Sequence, residues 1–408
     1  MDSQTGPAAT IGNRPRKNPH WIDAFVNSTS HSNSPEIYRR WVGITTIGSA
    51  LQRKAFLLIQ GEKLFANFYT ILVGPPGVGK TRAIRFGSAL LSQLREFSLS
   101  PDSLSRERLI ENLSNCTKIV ADKQGKFSSQ TAYACYLDEL STFIRANDID
   151  FMTLLTALFD NPKVWTYQTL SRGEAKIENL FLSICGGITP KSIQRNWGEG
   201  AIGMGFTARL NMIYSEEAKP MDLFGVKIEA TLEHLLHDLT TIYNLNGQFS
   251  VTKDAMRELQ SWVSDGMPPI PADTRFAEYN PRRSLHWLKL CMAYSVAESN
   301  ELIITSEHVA RAKETLLEYE AVLPLAFEHM GQNPLLHALT SLHQWLKIEH
   351  TIAKAPVIEA RLRRRLLADV PPQYIESALK EFVESGMATV VPTQKGKGYV
   401  PIHTKRID

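Results

Sequence analysis

Cysteine is scarce, with four residues in 408, at 116, 135, 185 and 291. None forms a C-x-x-C pair or lies near a His pair at metal-ligand spacing. A disulfide framework and a zinc site are therefore not expected, and the four read as reduced core thiols. No run of 18 or more apolar residues occurs, which removes a transmembrane helix and a membrane partner. The opening MDSQTGPAATIGNRPRKNPH lacks the apolar stretch of a signal peptide, so a cytoplasmic protein is expected. Neither charge sign is in large excess, with 45 Lys and Arg against 42 Asp and Glu. With 43% hydrophobic and 21% charged residues, wholesale disorder and collagen-like structure are excluded. At about 100–200 residues per domain the length allows more than one core. The small net charge hides a polarity: residues 331–408 carry eleven Lys and Arg against seven Asp and Glu. A basic C-terminal module suggests a polyanionic partner at that end.

The pattern of apolar residues divides the chain. Residues 1–20 are polar and aperiodic, the signature of a flexible arm. Ser34-Pro35-Glu36 reads as a helix start, with Ser as N-cap and Pro at the first helical position. The spacing of Ile37, Trp41, Ile44, Ile47 and Leu51 gives that helix one buried face. Two short strands, 55–60 and 64–67, follow around Gly61-Glu62-Lys63, so 21–66 forms a helical and hairpin extension. Residues 68–73 are a continuous β-prone run of the buried parallel type. Further such runs at 131–137, 179–185 and 210–214 alternate with helical stretches at 82–96 and 149–160. That alternation makes 67–226 an α/β domain with a parallel sheet. Residues 227–330 carry helical patterns only (229–244, 252–264, 281–298, 306–330) and read as an all-α domain. Residues 331–408 give three helices (335–349, 356–367, 372–385) and a two-stranded ribbon (388–392, 399–402), which suggests a winged helix.

Between the strand ending at Val73 and the next helix stands Gly74-Pro75-Pro76-Gly77-Val78-Gly79-Lys80-Thr81, which fits G-x-x-x-x-G-K-[ST] at every fixed position. Glycines let backbone N–H groups turn inward around phosphate oxygens, and the helix adds its positive dipole end. Lys80 is expected to reach the β- and γ-phosphates and Thr81 to ligate Mg²⁺. The run Tyr133–Leu137 ends in Asp138-Glu139, 58 residues after Lys80. Asp138 would hold Mg²⁺ through water, and Glu139 would orient and deprotonate the attacking water. ATP and Mg²⁺ are the expected ligands, and hydrolysis the expected reaction.

These motifs resemble those of the AAA+ ATPases. Over about residues 20–330 they are similar in particular to superfamily 3 helicases, their MCM-like branch, and the helicase half of phage and prophage primase–helicases. The likeness extends to Ser100-Pro101-Asp102-Ser103-Leu104, Leu137–Phe143, Leu158-Phe159-Asp160 and Gly186–Pro190. It implies an AAA+ P-loop core, an all-α lid over 227–330 and a winged-helix tail. It makes Thr189, after the strand 179–185, the counterpart of the sensor 1 residue, which is usually Asn. Arg209, in Gly205–Leu210, becomes an arginine finger reaching a neighbour's γ-phosphate, with Arg195 its rival. One of Arg282 and Arg283 becomes a sensor 2 arginine contacting ATP. A finger acting in trans requires a head-to-tail homo-oligomer, and the resemblance implies a hexamer.

Residues 164–177 alternate β-formers around Ser171-Arg172-Gly173 and read as a hairpin. The resemblance puts that hairpin in a central channel, with Arg172 and Lys176 on the DNA backbone. In the C-terminal module Arg363, Arg364, Lys395 and Lys397 are the candidates for phosphate contact. The third helix there is net acidic, so the module either binds backbone through its wing and Arg run or docks a protein. The overall expectation is a phage-type, ring-forming DNA helicase translocating on single-stranded or forked DNA. A separate primase or other replication protein is the expected partner. Two alternatives stand beside it: a helicase loader or DNA-bound ATP switch, and an ATPase for protein remodelling or DNA packaging.

Overall fold

Among the described residues, two helices precede the first strand. In place of the flexible arm expected through residue 20, Arg16–His20 are tied down. Arg16 donates to the carbonyls of Val296 and Ser299 and to Asn300 Oδ1. The fully buried carboxylate of Asp238 accepts the backbone N–H groups of Lys17 and Asn18. A buried acid needs donors, and this stretch of backbone supplies them. His20 then caps α1 (Trp21–Ser28). Helix α2 (Glu36–Leu51) buries Tyr38, Trp41, Ile44, Ile47 and Leu51. Pro35, in an extended conformation, takes the cap position in place of Ser34, and no side chain caps this helix.

The computed structural model describes residues 15–121, 127–169, 173–197, 205–220, 229–328, 334–367, 370–394 and 396–402. After α2 come the antiparallel pair β1 (Ala55–Ile59) and β2 (Glu62–Leu64), then β3 (Tyr69–Val73), α3 (Lys80–Leu91), α4 (Arg106–Asn115) and β4 (Thr117–Ala121). Next are β5 (Phe127–Leu137), α5 (Leu140–Phe143), α6 (Ile149–Phe159), the hairpin β6 (Val164–Thr169) and β7 (Gly173–Glu178), β8 (Leu180–Ile188), α7 (Pro190–Asn196) and β9 (Leu210–Tyr214). The main sheet has the order β4-β5-β8-β3-β9. β5, β8, β3 and β9 are parallel, while β4 runs antiparallel along the first half of β5. Beside the second half of β5, Leu99 bridges Ala134 in the parallel sense. Every residue of β3, β8 and β9 is buried, as parallel strands covered on both faces require. Val73, Ile188 and Tyr214 pair in register, so the carboxyl ends of three strands form one rim.

The segment expected to be all-α contains α8 (Glu229–Tyr243), α9 (Lys253–Ser264), α10 (Arg283–Glu298) and α11 (Ser306–Glu328). It also contains three two-residue strands, β10 (Gly247–Gln248), β11 (Ser250–Val251) and β12 (Ile303–Ile304). β10 extends β1 and β11 pairs β12, both parallel. One apolar cluster runs from α1 and α2 through the main sheet to α10 and α11. The expected divisions 21–66, 67–226 and 227–330 therefore share one core.

The chain divides between Met330 and Gly331 into two compact units. The second contains α12 (Pro334–Ala353), β13 (Val357–Ile358), α13 (Glu359–Leu366), α14 (Ile375–Glu384), β14 (Ala388–Thr393) and β15 (Gly396–Pro401). Its antiparallel sheet has the order β13-β15-β14, so the expected two-stranded ribbon has a third, two-residue member. Leu342, Leu346, Leu362, Leu366 and Phe382 form its separate core. Both units mix helix and sheet. Among the described residues no helix is long and apolar enough to cross a membrane. The four cysteines are outside any disulfide, and burial pushes the thiols of Cys135, Cys185 and Cys291 well above their ordinary range.

Candidate functional site

The residues Gly74–Thr81 leave the rim at the end of β3 and enter α3 at Lys80. Ligands of open parallel sheets bind at such carboxyl rims, where the chain switches direction across the sheet. Gly79 has φ +86°, and a Cβ there would meet the Ser34 backbone at 2.7 Å, so only glycine fits. Tyr38 places its hydroxyl 2.5 Å from the Val73 carbonyl and 3.0 Å from that of Ser215, fastening α2 to the start of the loop. Lys80 is largely buried, and its Nζ donates to the carbonyls of Gly74 (2.6 Å) and Pro75 (2.8 Å). Burial lowers its pKa, and the nearby Glu139 carboxylate opposes the shift. Pro76 and Gly77 are exposed, Val78 is buried, and Pro75 and Thr81 are half-buried.

Asp138 and Glu139 follow the last residue of β5, which pairs with Gly186 of β8. The next residue of β8, Gly187, is what brings the acids to the loop. A Cβ on it would lie 3.0 Å from the Asp138 carbonyl and 3.4 Å from Lys80 Cβ. The structure thus brings Lys80, Asp138 and Glu139 to one place, although they come from different strands. Both acids are half-buried. Asp138 Oδ2 accepts Arg85 Nε at 3.1 Å and also Arg85 Nη2, while Glu139 accepts the Ser141 N–H at the start of α5. This set offers a cation, backbone donors and two carboxylates, which is the chemistry a magnesium triphosphate requires. Among the described residues no group of three or more His, Cys, Asp or Glu could hold a metal ion alone.

The outer assignments fare differently. Thr189 Oγ1 accepts Ser192 N at 3.1 Å and donates to Ser192 Oγ at 2.9 Å, so it caps α7. Arg209 is engaged within its own chain. It is 8% exposed, and it donates to Asp160 Oδ2 at 2.6 Å and to the Gly205 carbonyl at 2.9 Å. A guanidinium held so in cis is not extended toward a neighbour. Its rival Arg195 is exposed in the last turn of α7. For Arg283 the expectation of an ATP contact is corrected by burial. The side chain is fully enclosed, with Nε and Nη2 on Glu320 at 2.6 and 2.7 Å and further donors on the Met267 and Pro269 carbonyls. Four of its five N–H donors are used inside the fold and the side chain is closed off from solvent, which leaves it no access to a nucleotide. Arg282 is half-buried and lies 3.4 Å from Asp160 Oδ1.

The expected hairpin is present as β6 and β7, joined in register from Val164–Glu178 to Thr169–Gly173. Arg172 lies outside the described residues. Lys176 is exposed and forms a 2.7 Å ion pair with Glu178. In the second unit, Arg363 is bound by Glu359 (2.6 Å) and Glu376 (2.5 Å). Arg361 pairs with Glu349 and Arg365 donates to Ser341, so much of the Arg run is turned to neighbouring helices. Arg364 and Lys397 are exposed, and Lys395 lies outside the described residues.

Sequence reasoning missed the connection between α1 and α2. Asn33 Nδ2 donates to the Gly77 carbonyl at 3.0 Å, across the phosphate loop. The first residues of the same connection, with Asn27, His31, Phe86, Leu90, Gln93 and Leu232, line a cavity of about 270 Å³ along the middle of the helix that begins at Lys80. The signal available was the polar run Thr29–Ser34 ahead of the helix start, which reads only as a turn. No protein-family model matches the chain, and no curated protein matches it.

Proposed function

We propose that the chain is an ATPase of the AAA+ kind that works as a phage-type DNA helicase on single-stranded DNA. The observation that carries the nucleotide reading is the strand order. β3 with its Gly74–Thr81 loop sits between β8 and β9, and Asp138-Glu139 enters from β5, one strand further out. An acid pair placed one strand away from the phosphate loop is the arrangement AAA+ enzymes use to set a water against the γ-phosphate. Lys80 would leave the carbonyls of Gly74 and Pro75 for phosphate oxygens, and its burial makes that exchange of partners strong. Thr81, and Asp138 through water, would hold Mg²⁺, which neutralises charge on the phosphates when bound. Glu139 would take the proton of the attacking water. The 270 Å³ cavity beside Phe86 and His31 has the size and aromatic lining suited to the nucleoside.

The helical segment 229–328 is read as the lid. The second unit, in the order helix, strand, helix, helix, strand, strand, fits a winged helix. For DNA the support is the β6–β7 hairpin, inserted between the acid strand and β8 with Lys176 on its outer side. Assembly as a ring, expected to be a hexamer, would draw the finger from Arg195, since Arg209 is occupied in cis. A separate primase or other replication protein is the proposed partner.

The test is strand displacement on a forked duplex with purified protein, ATP and Mg²⁺. Displacement that Lys80→Ala abolishes, with ATP turnover stimulated by single-stranded DNA, is expected. ATP turnover without displacement would favour the second reading, a loader or ATP switch. The observation on that side is the engagement of Arg363, Arg361 and Lys176 by acids, which lowers the net cation count available to DNA.

A further inference from the structure

We propose that Asn33 is a positioning residue for the phosphate loop, orienting the Gly77–Val78 peptide so that the Val78 N–H faces the phosphates. The proposal deepens the nucleotide reading above and rests on it.

In a trans peptide the carbonyl and the following N–H point in opposite directions. Asn33 Nδ2 donates to Gly77 O at 3.0 Å, which holds that carbonyl toward the α1–α2 connection. The Val78 N–H is then directed away from the connection. Gly77 has φ +85°, so the loop turns through a left-handed residue at this point. Successive N–H groups around such a residue form an anion-binding concavity. An unrestrained exposed glycine peptide could flip, and each flip would replace an N–H facing the phosphates with a carbonyl oxygen.

The donor is presented on a built frame. Arg39, 3% exposed, donates from Nε to the Ser34 carbonyl at 3.2 Å and from Nη1 to the Val26 carbonyl, binding both ends of the connection. Ser32 Oγ donates to the Thr29 carbonyl at 2.8 Å. The Asn33 carbonyl in turn accepts Lys219 N at 3.3 Å. Asn33 therefore joins the phosphate loop to the segment following β9, and its side chain has little freedom left to lose when a ligand arrives.

The experiment measures a fluorescent ATP analogue, with and without Mg²⁺, and competition by inorganic pyrophosphate, on the full chain. Asn33→Ala is expected to weaken affinity roughly three- to tenfold, the range of one net hydrogen bond. Turnover at saturating ATP and the melting temperature are expected to stay near wild type. Asn33→Gln, which keeps the amide donor, is expected to recover part of the loss. Unchanged affinity in Asn33→Ala overturns the proposal. So does a parallel fall of affinity, turnover and melting temperature, which would make Asn33 a structural brace. Should Asn33→Ala fail to fold, Asn33→Leu, similar in size, uncharged and without a donor, decides: weakened pyrophosphate binding supports the proposal and wild-type binding overturns it. A wild-type chain that binds neither probe would instead remove the nucleotide reading itself.

Discussion

Arg282 and Arg283 are neighbours in sequence and opposites in environment. Arg283 donates in four directions to Glu320 and two carbonyls in a site closed to water, whereas Arg282 reaches Asp160 across a half-exposed gap. Removing one partner of a buried pair leaves the other charge stranded, at a cost of about 3–5 kcal/mol, while an exposed pair is worth at most about 1 kcal/mol. Urea unfolding should therefore separate Arg283→Ala from Arg282→Ala by several kcal/mol, and equal midpoints would contradict the burial. Lys289 supplies a pH test. It is fully buried on Asn67, and burial lowers its pKa to about 7, with Asp160 opposing and Arg282 and Arg209 reinforcing the shift. Between that value and its ordinary 10.5 the unfolded chain binds the extra proton, so its contribution to stability rises with pH through this window. Lys289→Met removes the penalty, and Asn161 still donates to Asn67 Oδ1. The variant should melt above wild type by a margin that widens as pH falls from 10 toward 7 and then levels off. A margin independent of pH would show that the lysine does not titrate there. For catalysis, Glu139→Gln should retain the fluorescent nucleotide while steady-state turnover falls by roughly 10²–10⁴, the share of a general base. Gly74–Thr81 and Asp138-Glu139 were legible in the sequence because a phosphate cradle constrains residue type at fixed spacing. Arg209 was not, since its partner Asp160 lies 49 positions away and nothing local announces the pair.

At the scale of elements, the clearest signals belong to segments whose environment is uniform along their length. β3 and β9 are buried at every residue, and α2 is buried on all sides from Trp41 to Leu51, where its spacing predicts a single buried face. These were readable because one period, or none, suffices to place them. β10 to β13 have two residues each and exist through their partners, so no periodicity could reveal them. α4 was missed despite the Ser105 cap, because its apolar face is only Leu109, Ile110 and Leu113. The start of α7 shows how a local signal is misread for role. Thr189-Pro190 was legible both as a cap and as a sensor, and the geometry favours the cap. Thr189→Ala should lower stability by about 1 kcal/mol, Thr189→Ser should restore it, and turnover at saturating ATP should stay within a few-fold of wild type. A hundredfold loss of turnover without loss of stability would return Thr189 to the phosphates. The hairpin β6–β7 was legible from alternation and its turn, and the Lys176–Glu178 pair joins residues two apart on one face of the strand.

At the scale of the whole molecule, the separate apolar clusters make unfolding the measurement of choice. Leu342, Leu346, Leu362, Leu366 and Phe382 pack among themselves in 331–408, and a single continuous cluster serves 21–328. Domains with independent cores unfold as independent cooperative units unless a large apolar interface couples them. The nucleotide candidates Gly74–Thr81, Asp138 and Glu139 all belong to the first unit, so ligand binding should raise only its transition, by the mass-action relation between ligand concentration and affinity. Calorimetry of the full chain is expected to show two transitions, with ATP and Mg²⁺ shifting one of them upward and leaving the other in place. Lys80→Ala should abolish the shift without moving the second transition, and Phe382→Ala, which opens a cavity in the smaller core, should lower the second transition while leaving the nucleotide shift intact. If both transitions move together with ATP, the second unit is energetically coupled to nucleotide binding and would act on hydrolysis directly instead of serving as a separate docking module.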